Sequence, residues 1–277
     1  MKILFCGDVV GRSGRNVISE YIPQLKSSLN LDFIIVNGEN SAHGFGITEK
    51  ICEEMFSFGV DVITLGNHSF DNINIIDYIN KTDKLIRPLN YKDAAGNGYC
   101  ITECMGIKIM VVNLLGSLFM HSKIETSNAF ECINNLLETY KLKENVDIII
   151  VDFHSETTSE KSSMGFFLDG RVSGVFGTHT HIPTNDTRIL PNGSGYQTDV
   201  GMCGDYVSVI GMNKEAAIGA FFLKEGATRE RLSPSLGEGM LSGVLMEVDE
   251  LSGKCTYIEP VMYGNMFNRG IVKNENI

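Results

Sequence analysis

Short apolar runs alternate along the chain with longer segments in which apolar residues recur every three or four positions. The short runs are typical of buried strands, and the longer segments are typical of helices with one apolar face. The pattern predicts strands at 2–7, 32–37, 61–65, 107–113, 146–153, 172–176, 244–248 and 256–261. It predicts helices at 13–30, 48–59, 71–80, 127–140 and in part of 213–223. Thr48 and Asp71 are the predicted N-caps of the second and third helices.

The alternation of strands and helices predicts an α/β protein whose strands are covered on both faces. The additional strands after residue 90 indicate two sheets packed together instead of one doubly wound sheet. No linker or internal repeat divides the sequence, so we expect a single domain over residues 1–277. The polar tail from about residue 265 is expected to fray.

The overall charge narrows the classes of ligand. The formal net charge is −11, whereas proteins that bind a nucleic-acid backbone usually present a basic face. We therefore expect no binding to duplex DNA. A small phosphorylated substrate remains open, because a bound divalent cation reverses the local field.

The cysteines and the apolar runs bear on the compartment. Seven scattered cysteines form no Cys-x-x-Cys pair, which favours reduced thiols over a disulfide framework or a zinc site. The apolar run at the start ends at Asp8 and is too short for a signal peptide. No run approaches the roughly 20 residues of a membrane span. A cytoplasmic protein with no membrane partner is expected.

Polar residues follow the apolar strands at five places. In open α/β sheets the loops after the strands converge on the ligand. The five clusters therefore indicate one binding site. They are residues 7–11, 37–40, 66–68, 152–154 and 177–181.

Two of the histidines in these clusters, His179 and His181, are separated by one residue. Side chains two positions apart in extended backbone point to the same side, so both imidazoles can ligate a metal ion. Two solvated histidines in a turn are the alternative. His154, which also follows an apolar run, favours the metal site.

Carboxylate and amide side chains lie in the same loops. Asp8 is either a ligand or a turn residue. Glu39 has no evident capping role in its Gly-Glu-Asn sequence, and a carboxylate can bridge two cations. The amide oxygens of Asn40 and Asn67 can complete the coordination. Oxygen and imidazole ligands without thiolate favour Mn, Fe, Zn or Mg.

His68 directly follows Asn67, and adjacent side chains in extended backbone point apart. One of the two can therefore bind a metal while the other faces the substrate. An imidazole with an ordinary pKa can protonate a leaving oxygen at neutral pH. The alternative is that His68 orients a metal ligand. Asp152 and Asp199 are further carboxylates that can hold an imidazole, with a turn role as the alternative for Asp199.

Taken in order, these motifs resemble those of the calcineurin-like metallophosphoesterases. The matching sequences are Gly-Asp at 7–8, Gly-Asn-His at 66–68, His154 and Gly-Thr-His-Thr-His at 177–181. Two positions depart from the pattern: no histidine follows two residues after Asp8, and Glu39 replaces the usual aspartate. Both departures, with NGENSAHG at 37–44, DFH at 152–154 and DVGM at 199–202, resemble the bacterial YmdB-like phosphodiesterases. The resemblance runs from residue 2 to about residue 262.

The resemblance implies a four-layer α/β/β/α sandwich with a dinuclear metal site, and His68 as the proton donor. The implied metal ligands are Asp8, Glu39, Asn40 and His181 for one ion, and Asn67, His154 and His179 for the other. Glu39 would bridge the two ions.

The family resemblance also implies the reaction. Members hydrolyse cyclic nucleotides, including 2′,3′-cyclic forms, with iron or manganese. The expected activity is a metal-dependent phosphoric diester hydrolase in which a metal-activated hydroxide attacks phosphorus. Two divalent ions, Fe or Mn, are the expected cofactors, and a cyclic nucleotide or another small phosphodiester is the expected substrate. Activity on 3′,5′-cyclic nucleotides and assembly into a homo-oligomer stay open.

Two alternatives use the same residues. A phosphomonoesterase or nucleotidase needs the same ligands. A regulatory protein that binds metal and nucleotide with weak catalysis is the second alternative, and the complete ligand set argues against it.

Overall fold

The computed structural model describes residues 1–222 and 231–264. The predicted fraying tail and the end of the last predicted helix lie outside these ranges. The helices are α1 (Gly11–Leu29), α2 (Glu49–Ser57), α3 (Ile75–Ile79), α4 (Ala129–Thr139), α5 (Thr158–Leu168) and α6 (Lys214–Gly219). The first strands are β1 (Lys2–Cys6), β2 (Asp8–Val9), β3 (Phe33–Asn37), β4 (Val62–Thr64), β5 (Leu85–Ile86), β6 (Tyr99–Cys104) and β7 (Ile107–Leu115). The later strands are β8 (Ile148–His154), β9 (Gly174–Thr178), β10 (Arg188–Ile189), β11 (Gly195–Gln197), β12 (Met202–Asp205), β13 (Gly239–Val248) and β14 (Cys255–Tyr263).

The strands form two sheets, as predicted. Within the described residues the first sheet has the order β2-β12-β13-β1-β3-β4-β5, with β14 paired to β13. The second sheet has the order β10-β11-β9-β8-β7-β6. β1, β3 and β4 run parallel, and so do β7, β8 and β9. The carboxyl ends of these central strands therefore share one edge of each sheet.

Three apolar clusters show how the layers stack. Side chains alternate along a strand, so Leu4 of β1 packs toward α1 whereas Phe5 packs between the sheets, against Phe176 of the second sheet. A third cluster lies between the second sheet and α4 and α5. The order is helices, sheet, sheet, helices, which is the four-layer sandwich that the family resemblance implied.

Three local predictions need correction. α1 begins at Gly11 instead of residue 13. Asp71 does not cap α3, which begins at Ile75 after Asn74, because the Asp71 carboxylate contacts His68 and Lys123. The apolar pattern does not predict α5, because serines and a glycine interrupt its apolar period. The Thr157-x-x-Glu160 capping pattern is a signal that could have found it, and the Thr157 hydroxyl does cap the helix.

Candidate metal centre

The polar clusters meet at the carboxyl ends of the central strands of both sheets. β1 precedes Asp8, β3 precedes Glu39 and Asn40, and β4 precedes Asn67 and His68. From the second sheet, β8 ends on His154, and β9 precedes His179 and His181. All the residues predicted for the site therefore lie at one edge, where parallel sheets bind ligands.

His154 lies at the centre of one group of side chains. Its Nε2 atom is 3.0 Å from Glu39 Oε1, 3.0 Å from Asn67 Oδ1 and 3.1 Å from His179 Nδ1. One nitrogen carries at most one proton, whereas three atoms with lone pairs surround it. Such crowding of electron donors favours a shared cation over a set of ordinary hydrogen bonds.

The other ring nitrogen of His154, Nδ1, binds the Thr178 hydroxyl on the side away from the cluster. The Thr178 hydroxyl donates to Asp152 Oδ1 over 2.7 Å, so its oxygen accepts from His154 Nδ1 at 2.8 Å. Asp152 is buried and also accepts from Asn37 and Thr64. This chain fixes the tautomer that leaves Nε2 facing the cluster. The expectation that Asp152 supports an imidazole is met through Thr178 instead of by direct contact.

Asp8 anchors a second group. Its Oδ2 atom accepts the His179 backbone N–H at 3.0 Å, whereas Oδ1 is buried and has no hydrogen-bond partner among the described residues. Oδ1 lies 3.8 Å from His181 Nε2. A buried oxygen without a partner costs roughly 1–3 kcal/mol, and a cation between these atoms would remove that cost.

Asn40 and His181 complete this second group. The Asn40 Nδ2 atom lies 3.1 Å from His181 Nε2 and 3.1 Å from Glu39 Oε1. His181 Nδ1 donates to the Ile210 carbonyl at 2.7 Å, so Nε2 is left to face Asp8. The structure thus brings together the four residues predicted for one ion, with Glu39 between the two groups.

The backbone that carries the two neighbouring histidines is not extended. The φ angles of His179 and His181 are 98° and 66°, in the left-handed region, which costs an L-residue roughly 1–2 kcal/mol. The expectation that an extended segment points both rings to one side is therefore wrong in its geometry. Both rings still reach the site, because two left-handed residues fold the loop around it.

His68 lies at the rim, separate from these groups. Its backbone N–H donates to Glu39 Oε2 at 3.0 Å, and its Nδ1 lies 2.7 Å from Asp71 Oδ2. Lys123 contacts the other Asp71 oxygen at 2.6 Å. The ring is partly exposed and packs edge-on against Phe45. As expected, the side chains of Asn67 and His68 diverge.

The ionisable groups at the site shift one another's pKa values. Burial raises the pKa of Glu39, but the His154 imidazolium outweighs it and holds that pKa well below its usual range. Burial lowers the pKa of His154, but the Glu39 carboxylate outweighs it and raises the value to about 9. Burial and the His154 charge lower the pKa of His179 to about 3. Burial also raises the pKa of Asp152 to about 6. Without metal, His154 thus carries the positive charge that neutralises Glu39.

The donor atoms fit a metal ion. Ligand atoms of Glu39, His154 and His179 all lie within 4.8 Å of one another. Gly66 keeps this space open, since a Cβ there would lie 2.3 Å from Glu39 Oε2 and 2.5 Å from His154 Nε2. Carboxylate, amide and imidazole donors suit Mn, Fe or Zn.

Several groups that support the site were not predicted from the sequence. Glu156 Oε2 lies 3.1 Å from His179 Nε2, the nitrogen opposite the cluster. Thr178 and the Ile210 carbonyl orient His154 and His181. Asp199 has the turn role considered for it, because it accepts from Gly201. It holds no imidazole directly; its other oxygen accepts the backbone N–H of Thr180, between the two histidines. Glu156 follows His154 by two residues, and that proximity was the available signal.

Comparison with known proteins identifies the family of this chain. The family model described as YmdB-like protein matches residues 4–261. The chain is 40% identical over 263 residues to the 2′,3′-cyclic-nucleotide 2′-phosphodiesterase of Bacillus subtilis (strain 168), and the match covers 95% of this chain and 97% of that protein.

Solved structures share the fold. The crystal structure of a novel phosphatase from Mycoplasma pneumoniae matches with a TM-score of 0.87 and 40% identity, over 95% of this chain and 92% of that chain. A 5′-nucleotidase precursor from Thermus thermophilus matches with a TM-score of 0.56 and 10% identity, over 95% of this chain and 54% of that chain. The second likeness, at 10% identity, shows the fold alone.

Proposed function

We propose that this chain, which belongs to the YmdB-like protein family and is a phosphoester hydrolase, cleaves 2′,3′-cyclic nucleotides with two divalent metal ions, Fe or Mn. The observation that carries the proposal is the crowding of Glu39, Asn67 and His179 around His154 Nε2. Beside it lies an Asp8 oxygen that has no hydrogen-bond partner within residues 1–222 and 231–264. The name of the Bacillus subtilis relative supports the choice of substrate. Activity on 3′,5′-cyclic nucleotides is a wider range that the same site can accommodate.

The proposed ligand sets follow the two groups of side chains. Asp8, Asn40 and His181 would hold one ion, and Asn67, His154 and His179 would hold the other. Glu39 would bridge them, because its Oε1 atom contacts His154 and Asn40 at 3.0 and 3.1 Å. When bound, divalent cations at such a site neutralise phosphate charge and acidify a water molecule.

His68 is the proposed proton donor. Its Nδ1 lies 2.7 Å from Asp71 Oδ2, and this contact orients the ring. The remaining ring nitrogen can then protonate the departing ribose oxygen. For a 2′,3′-cyclic substrate, the oxygen of a water molecule bonds to phosphorus while the bond from phosphorus to the departing ribose oxygen breaks. The ring thereby opens to a phosphomonoester.

The chain's other features fit a small substrate inside the cell. No helix in residues 1–222 and 231–264 combines the length and the apolar character needed to cross a bilayer. All seven cysteines are free thiols, as is usual in the reducing cytoplasm. The free thiols support a cytoplasmic location for the proposed reaction on a small-molecule phosphodiester.

The direct test is hydrolysis of 2′,3′-cyclic AMP by the metal-free protein before and after anaerobic loading with Fe(II) or Mn(II). We expect turnover only after loading, and its loss in Asp8→Asn. Asp169→Asn is the matched control, because that carboxylate binds two backbone amides in a remote turn. Faster hydrolysis of a nucleoside monophosphate than of the cyclic diester would indicate a nucleotidase instead. Binding of metal and nucleotide without turnover on either would indicate a regulatory protein.

A further inference from the structure

A buried ion pair lies beneath the His-Thr-His loop, which comprises residues 179–181. Lys161 of α5 and Asp199 are 2% and 1% exposed at their side chains, and Lys161 Nζ lies 2.6 Å from Asp199 Oδ2. A buried ion pair seldom stabilises a protein more than apolar residues of the same volume. Its position therefore calls for a role other than stability.

Asp199 connects this pair to the loop. Besides the lysine, its Oδ2 atom accepts the backbone N–H of Thr180 at 3.1 Å, and Oδ1 accepts from Gly201 at 2.8 Å. Thr180 lies between two residues in the left-handed conformation, His179 and His181. The Asp199 carboxylate thus binds the residue between the two left-handed residues of the loop.

The lysine stem is closely packed at the end of β9. A Cβ on Gly177 would lie 2.9 Å from Lys161 Cδ and 1.8 Å from the Thr198 carbonyl oxygen. Lys161 therefore has little freedom to move, and its ammonium group fixes the position of the Asp199 carboxylate. Two other contacts hold the loop. Asp8 accepts the His179 backbone N–H, and the Ile210 carbonyl accepts from the His181 ring.

We propose that Lys161 and Asp199 are positioning residues that keep His179 and His181 in the left-handed conformation required to ligate metal. The pair acts through the Thr180 amide, which donates to Asp199 Oδ2, and not as a metal ligand. This inference rests on the proposed metal site, but not on the identity of the substrate.

The test compares the parent with the double variant Lys161→Met, Asp199→Asn, which removes both charges so that none is left buried alone. Two quantities are measured in the full chain: exchange of the Thr180 amide in the metal-free protein, and the dissociation constant for Mn²⁺ by calorimetric titration. We expect faster Thr180 exchange and an affinity lower by roughly tenfold or more, as for other residues that orient metal ligands. The melting temperature of the metal-free double variant should stay close to that of the metal-free parent.

Asp169→Asn again serves as the control, and it should change neither quantity. The single variant Asp199→Asn, which leaves Lys161 unpaired, should lower both the Mn²⁺ affinity and the melting temperature. A folded double variant with parental Thr180 exchange and parental Mn²⁺ affinity would overturn the inference. Failure of the parent to hydrolyse cyclic nucleotides would count against the proposed function alone, because neither measurement uses substrate.

Discussion

The two sheets contribute different chemistry to the candidate metal centre. The first sheet supplies what we call the oxygen half, formed by Asp8, Glu39, Asn40 and Asn67. The second sheet supplies the imidazole half, formed by His154, His179 and His181. Two buried carboxylates give the oxygen half a negative charge, which is costly unless it is compensated. The His154 imidazolium supplies that compensation in the metal-free protein, and metal would replace it.

The halves also differ in how the backbone supports them. The residues of the oxygen half follow parallel strands, and none of the four has a positive φ angle. In the imidazole half, two of three residues lie in the left-handed region, and a buried ion pair, a carbonyl and a carboxylate hold them. The difference shows that similar strand ends can carry ligands either through regular loop geometry or through a strained loop with dedicated supports.

The largest expected effect comes from the residue that joins the halves. Glu39→Gln removes the charge that both groups share, so we expect loss of both metal ions and of all metal-dependent turnover. Metal content is measured by elemental analysis after dialysis against Mn²⁺. Glu53→Gln on α2, where the carboxylate accepts from Tyr78, should retain metal. Full occupancy in Glu39→Gln would contradict the bridging role.

The next effect separates metal binding from proton transfer. We expect His68→Ala to keep its metal and to lose about 10²–10⁴-fold in kcat on 2′,3′-cyclic AMP. The loss should be smaller on a nitrophenyl phosphodiester, whose leaving group needs no proton. His121→Ala, at an exposed histidine outside the site, should behave as the parent does. Equal kcat of His68→Ala and parent on the cyclic nucleotide would remove His68 from this role.

The pH dependence of metal binding tests whether a metal ion replaces the proton of His154 as the positive charge beside the carboxylates of the oxygen half. The pKa of His154 is raised to about 9, so below that pH a cation must displace its proton. We expect the apparent Mn²⁺ affinity to rise with pH, by at most about tenfold per unit for this one proton, and this dependence to end near pH 9. The same displacement should release a proton, which titration in buffers of different ionisation enthalpy detects. Affinity that is constant between pH 7 and 9, with no release, would exclude this exchange.

The same pKa shift has a consequence for the metal-free protein. Because the folded-state pKa of His154 lies above its unfolded value, the stabilisation from its charge is fully present below about pH 6.5 and is lost as the pH rises through about 9. The melting temperature of the metal-free protein should therefore fall over this interval. A metal-saturated sample should not show this component, because its His154 is already neutral.

The smallest expected effect concerns a partly exposed support of the imidazole half. Glu156 Oε2 lies 3.1 Å from His179 Nε2 but the Glu156 side chain is 48% exposed, so solvent screens the interaction. We expect Glu156→Gln to weaken Mn²⁺ binding by no more than about tenfold, the lower limit for residues that orient metal ligands. Glu125→Gln, at an exposed carboxylate, is the control for surface charge. A change as large as that of Glu39→Gln would mean that Glu156 is itself a ligand.

The sequence by itself determined the two-sheet α/β architecture and the members of both halves. Apolar runs and their spacing report burial directly, and the polar residues that follow them must lie at the sheet edge because parallel strands end there together. Asp8, Glu39 and His154 could be found in this way without knowledge of any contact. The same reasoning failed for α5, since its apolar period is interrupted and its buried face includes Lys161.

Only the tertiary structure decided how the side chains are aimed and supported. The left-handed backbone at His179 and His181 depends on contacts with Asp8, Asp199 and Ile210. These contacts join residues that are 171, 19 and 29 positions apart along the chain. The Thr178–Asp152 support of His154 likewise joins two neighbouring strands. Local sequence patterns encode the burial of residues and the period of their apolar positions. The contacts above depend instead on which strands become neighbours, and the strands become neighbours only when the sheets form and pack together.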